Sequence, residues 1–77
     1  MIEEKIMDFF RQKGRGRNLS PDTDLFKGGF IDSLFAFEMV LYLENTFGIK
    51  IKNSEINEEN FRTVSAIANV VRRAGGE

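Results

Sequence analysis

Asp32 and Ser33 stand side by side in GGFIDSLFAFEMVLYLENTFGIKI, residues 28–51, where a helical apolar run begins. A hydroxyl beside a carboxylate first raises nucleophilic catalysis. The chain has no His to act as base, and the flanks of Ser33 do not form the G-x-S-x-G elbow that exposes an activated serine. There is no Cys either, so thiolate chemistry and disulfides are absent. No catalytic residue and no metal-ligand set is expected, and the chain does not read as an enzyme. Two readings of Ser33 remain. It caps the helix, as Ser and Asp do by accepting from free backbone N–H groups. Alternatively Asp32 caps, and Ser33 presents its hydroxyl outward beside the flexible Gly28-Gly29 as a target for modification by another enzyme. A phosphate joined there would meet the positive end of the helix dipole.

The helix that carries Ser33 spans residues 33–47 and is stopped by Gly48. Ala36, Met39, Val40, Leu43 and Phe47 share one side and form a core stripe. Leu34, Phe37, Leu41, Glu44 and Asn45, with Glu38 beside them, form a second stripe that starts at Ser33. Either this helix is central and covered on both sides, or the second stripe is a docking surface, since exposed apolar patches rimmed by charge mark partner sites. Phe35, Tyr42 and Asn45 fall at outward or flanking positions, and Phe35 and Phe37 have room to fold back over the preceding loop.

Other elements must hold that helix. Ile2, Ile6, Phe9 and Phe10 recur at helical spacing over residues 2–13, with Glu3 and Glu4 in the first turn, Arg11 and Lys13 in the last, and Gly14 as a left-handed stop. Residues 14–31 form a long connection, of a length that is usually functional. It contains a turn capped by Ser20 before Pro21, and Leu25 and Phe26 pin it to the core. Its Arg15 and Arg17 read as an ordinary solvated turn. The run IKIK, residues 49–52, has no partner strand and reads as extended loop with Ile49 and Ile51 inward. Asn53 or Ser54 caps a short helix over roughly 55–60. Thr63 caps the last helix, whose stripe is Val64, Ile67, Ala68, Val71 and Ala74, closed by Arg72, Arg73 and Gly75. The expected fold is all-α: a small four-helix bundle of three longer helices and one short one, with a long loop between helices 1 and 2, in a single domain over residues 1–77.

Bulk properties agree with a small interaction domain. The 77 residues, eight of them Phe, must make an efficient core, because a domain of this size buries only roughly 60% of its unfolded surface. Eleven basic and twelve acidic residues give a net charge of −1, which argues against nucleic acid as a partner even with RQKGRGR present. No apolar run is long enough for membrane insertion and the N-terminus does not read as a secretory leader, so the expected location is cytoplasmic.

The stretch LFKGGFIDSLFAFEMVLYLENTFGIKI resembles the acyl carrier protein family, which includes peptidyl and D-alanyl carriers. The likeness rests on Asp32-Ser33-Leu34 at the start of the second helix, on Leu25-Phe26 and Gly28-Gly29 before it, and on Leu43-Glu44 through Ile51. EENFRTVSAI resembles the region from the third helix into the fourth. The resemblance implies that Ser33 carries 4′-phosphopantetheine, added from coenzyme A by a phosphopantetheinyl transferase. It further implies that the thiol of this arm holds acyl groups as thioesters, so that the reactive sulfur belongs to the cofactor. Asp32, Leu34, Glu38, Leu41 and Glu44 are then the residues met by the transferase and by acyl-loading and acyl-processing enzymes. The expected protein is a free-standing monomer holding acyl intermediates in fatty-acid, polyketide or specialised lipid biosynthesis. The alternative is an aminoacyl, peptidyl or D-alanyl carrier. Outside the carrier class stands a plain helical module that binds a partner helix, with Ser33 only a cap. Many fatty-acid carriers are strongly acidic along this helix, whereas here Glu38 and Glu44 are its only acids.

Overall fold

The computed structural model describes residues 2–75 and is all-helical, with no strand among them. Helix α1 spans Ile2–Gln12, α2 Ser33–Phe47 and α3 Val64–Arg73. α1 packs against both of the others. Its buried face is Ile2, Ile6, Met7, Phe9 and Phe10, the stripe set by three- and four-residue spacing, with Met7 added. Glu3 and Glu4 in the first turn and Arg11 in the last complement the helix dipole.

α1 ends in a Schellman turn. Gly14 takes φ +74°, its N–H donates to the Arg11 carbonyl (3.0 Å), and the Arg15 N–H donates to the Phe10 carbonyl (2.8 Å). A side chain at Gly14 would be strained in this left-handed conformation. The turn fixes where Arg15 leaves the helix.

Residues 13–32 cross to α2 through turns. Thr23 Oγ1 accepts from the Ser20 N–H (2.9 Å), closing a turn at Pro21. Asp24 closes the next, accepting from the N–H groups of Lys27 (2.9 Å) and Phe26 (3.1 Å). The Leu25 N–H donates to the Arg62 carbonyl (2.7 Å), and the Ser65 N–H to the Pro21 carbonyl (3.1 Å). These bonds dock the connection on the entry to α3. Leu25 is fully buried and Phe26 half-buried.

The Lys27 N–H and the Arg62 guanidinium hold the Asp24 carboxyl below its ordinary range. A carboxyl lowered in the folded state stabilises the fold above its unfolded value, and the gain is lost as pH falls through the lower, folded value. Thermal melts from neutral pH downward are therefore expected to show a loss of stability below the ordinary carboxylate range. The loss should be shallower in Asp24→Asn. Equal slopes would show that Asp24 plays no part in it.

The expected fourth helix is a correction. Over 53–61 the chain forms only a 3₁₀ turn, Asn53–Glu55, followed by irregular turns. Neither Asn53 nor Ser54 caps it. The N-cap position is Lys52, which makes no side-chain cap bond. Asn57 and Asn60 account for the difference. Asn57 Oδ1 accepts from the Asn60 N–H (2.8 Å), Asn57 Nδ2 donates to the Ser54 carbonyl (3.1 Å), and Asn60 Nδ2 donates to the Glu55 carbonyl (2.9 Å). Short amide side chains have taken the partners that a helix would supply from its own backbone. Ile49 and Ile51 are buried between exposed Lys50 and Lys52, as their alternation suggests.

α3 is capped by Thr63, whose Oγ1 accepts from the Ala66 N–H (3.0 Å). It buries Val64, Ile67, Ala68, Val70 and Val71, with Ala74 partly buried. Its last turn is tied down by Arg72 to Glu3 (2.9 Å) and Arg73 to Glu55 (2.8 Å).

Candidate functional site

α2 begins where two requirements meet. Its first free N–H groups need an acceptor, and Asp32 supplies one: Oδ1 accepts from the Phe35 N–H at 2.9 Å. Ser33 is thus the first helical residue, its hydroxyl is not used for the cap, and it is exposed. The approach is shaped by Gly28 and Gly29. A Cβ on Gly28 would lie 2.6 Å from the Phe30 ring, and Gly29 takes φ +73°.

Along α2 the structure separates the two stripes. Met39 and Leu43 are fully buried and Val40 is nearly so, while Ala36 and Phe47 are only partly buried. Leu34, Phe37 and Leu41 are 70%, 69% and 60% exposed, and Glu38 is exposed among them. Spacings of three and four put these residues on one open side that starts at Ser33. The helix is therefore not covered all round. Glu38 lies 3.9 Å from Lys13 Nζ, a surface contact of small energetic value.

Phe35 corrects the outward or flanking position expected for it. It is buried, tilted against Phe9 (5.3 Å between centroids) and Phe10 (5.1 Å). Residues 35, 39 and 43 lie one turn apart, so the core face is wider than the stripe beginning at Ala36. Tyr42, half-buried, stacks on Phe9 at 4.6 Å, and its hydroxyl donates to the Lys5 carbonyl (3.0 Å). Phe37 does not fold back over the loop.

Glu44 is set apart from the other candidate residues. It is half-buried, and its Oε2 accepts from the Ile51 N–H at 2.9 Å, pinning the segment after α2. Glu44→Ala is expected to cost about 1 kcal/mol in urea unfolding, because it removes the acceptor of the part-buried Ile51 N–H. A loss this size would be absent if the carboxylate served only a partner.

Arg15 is the residue that sequence reasoning missed. Its Nη1 donates to the Phe30 carbonyl (3.0 Å) and lies 3.7 Å from Asp32 Oδ2, while the guanidinium sits 4.2 Å from the centre of the Phe35 ring. Only its place directly after Gly14 hints at a fixed position.

Beside Ser33 lies a groove of about 340 Å³ between the start of α2 and the turns of 53–61. Phe26, Ala36, Ile56 and Phe61 supply apolar walls, and Asp32, Asn57 and Glu58 supply polar ones. An exposed hydroxyl, the positive end of a helix and a mixed groove suit a phosphodiester followed by an amide-bearing arm. The residues present thus fit 4′-phosphopantetheine.

Residues 13–71 match the family described as Phosphopantetheine attachment site. The chain is 40% identical over 72 residues to the D-alanyl carrier protein of Streptococcus uberis, covering 92% of this chain and 91% of that one. It is 37% identical over 67 residues to the D-alanyl carrier protein of Streptococcus pyogenes, covering 86% and 85%. These relatives correct the expectation of a carrier in fatty-acid, polyketide or specialised lipid synthesis, since the cargo in their names is D-alanyl. No helix of the described residues is long and apolar enough to cross a membrane. With the match covering most of its length, this chain belongs to the phosphopantetheine attachment site family, whose members carry covalently attached 4′-phosphopantetheine.

Proposed function

We propose that this protein is a D-alanyl carrier whose arm is attached at Ser33. The observation that carries the attachment point is the exposed Ser33 hydroxyl, left free at the mouth of α2 because Asp32 makes the cap. The cargo rests on the D-alanyl carriers that resemble the chain over nearly its whole length. The arm, when bound, supplies the thiol that holds the D-alanyl group as a thioester. The chain itself tethers and presents that group, which raises its effective concentration at whichever enzyme is docked. Leu34, Phe37 and Leu41 form the docking side, with Glu38 at its rim. The partners are a phosphopantetheinyl transferase, a D-alanine-activating ligase and an enzyme that accepts the D-alanyl group. The protein itself is no catalyst. It works as a monomer in the cytoplasm, where coenzyme A and ATP are at hand.

The test is sequential loading followed by intact mass. After treatment with coenzyme A and a broad-specificity transferase, the protein is offered D-alanine, ATP and a D-alanine-activating ligase. One D-alanyl group should be gained and should be released by hydroxylamine. L-alanine, or malonyl-coenzyme A with a malonyl-loading enzyme, should give far less. Loading by malonyl but not D-alanine would overturn the cargo. Failure to gain any arm would leave a plain helical interaction module.

A further inference from the structure

Arg15 reaches the mouth of α2 from the end of α1. The Schellman turn at Gly14 delivers its backbone to a fixed place, with the Arg15 N–H bonded to the Phe10 carbonyl. From there one guanidinium meets three groups of the segment that leads into α2: the Phe30 carbonyl at 3.0 Å, the Asp32 carboxylate at 3.7 Å and the face of Phe35 at 4.2 Å. Phe30 precedes the Asp-Ser pair, Asp32 belongs to it, and Phe35 lies in the first turn after it. The chain is thereby held on both sides of Ser33. Asp32 is divided between two tasks: Oδ1 caps the helix and Oδ2 faces Arg15. An arginine suits this place better than a lysine, because a planar guanidinium stacks on a ring while donating in its own plane.

We propose that Arg15 is a positioning residue for modification of Ser33. It fixes the direction of the Asp32 carboxylate and of the helix mouth, and so the line along which the Ser33 oxygen meets the transferase. This rests on Ser33 as the attachment point. The transfer itself is balanced by coenzyme A alone. The serine oxygen forms a bond to the β-phosphorus of coenzyme A, the pyrophosphate bond breaks, 3′,5′-ADP leaves, and the serine proton is released.

The test measures transferase kinetics with the carrier as varied substrate, for wild type, Arg15→Ala, Arg15→Lys and Arg17→Ala, beside thermal melts. Misaligning a docked serine lowers kcat, and about a tenfold fall is expected for Arg15→Ala with KM unchanged. Arg17→Ala should behave as wild type. A residue that merely stabilised the fold would act otherwise, since a partly unfolded carrier is a more dilute substrate and raises the apparent KM at constant kcat. In an Asp32→Asn background, adding Arg15→Ala should lower kcat little further, because the two act as a unit. Full kcat in Arg15→Ala, or in Arg15→Lys, would overturn the proposal. Modification of wild type at a residue other than Ser33 would overturn the attachment point as well, so the two failures are distinguishable by peptide mapping.

Discussion

Ser33→Ala is expected to abolish phosphopantetheine transfer while leaving the melting temperature within about 2–4 °C of wild type, since a surface change of this kind is usually worth no more than about 0.5 kcal/mol. The loss is complete because a covalent attachment needs an oxygen at that place. The stability is kept because the cap bond to the Phe35 N–H comes from Asp32. The other serines are not substitutes. Ser20 Oγ lies 3.0 Å from Thr23 Oγ1 within its own turn, Ser54 belongs to a 3₁₀ turn, and Ser65 is half-buried in the first turn of α3. None stands, as Ser33 does, between a groove and the exposed apolar side of α2. Intact mass and peptide mapping after treatment with coenzyme A and transferase decide the matter. An arm found on the Ser33→Ala protein at any residue overturns the assignment. A Ser33→Ala protein that melts far below wild type would show that the hydroxyl also holds the helix.

The helices were legible in the sequence because their burial has a period. α1 and α3 face the core on one side only, so Ile2, Ile6, Phe9 and Phe10, and Val64, Ile67, Ala68 and Val71, stand out at helical spacing. The caps Gly14, Gly48 and Thr63 were legible for the same local reason, since each acts within a few residues of itself, whereas the sequence left the cap of α2 open between Asp32 and Ser33. α2 was harder. Apolar residues occur on nearly all its sides, so spacing alone left open whether the second stripe was covered as well and set Phe35 at an outward or flanking position. What decides it is the pair Phe9 and Phe10, far away in the chain. The segment 53–61 misled because Asn57 and Asn60 form local side-chain bonds that a helical pattern does not register. Arg15 had no signal beyond its position after Gly14, since Phe30, Asp32 and Phe35 lie 15 or more residues on. The cargo was legible only as an alternative, a D-alanyl carrier set beside the fatty-acid, polyketide and specialised lipid readings. An attachment serine is the same whatever the thiol carries, and the choice of cargo belongs to the enzymes that dock.

Leu41 and Leu43 make the sharpest contrast on α2. Leu43 is fully buried in the core and Leu41 is 60% exposed, although they are two positions apart on one helix. Cutting a buried Leu to Ala removes transfer free energy and leaves a cavity, at about 2–5 kcal/mol. A 77-residue domain has about 4–12 kcal/mol in total. Leu43→Ala is thus expected to remove a large part of the stability and to lower the melting temperature by at least about 10 °C. Leu41→Ala gives up little burial, so its melt should stay within a few degrees of wild type by the same scale. Its effect belongs to binding instead. An anchor in an interface loses over about 1 kcal/mol of association when truncated, which is about a fivefold or larger rise in KM for the transferase or for D-alanyl loading. Removing the rim acid in Glu38→Gln should act mainly through the on-rate and its salt dependence. Thermal melts and transferase kinetics on Leu41→Ala and Leu43→Ala, done at a temperature where both are folded, separate the two stripes. If Leu41→Ala melts as early as Leu43→Ala, the open side of α2 is core in solution. If it melts normally and loads at the wild-type rate, the partner enzymes dock elsewhere.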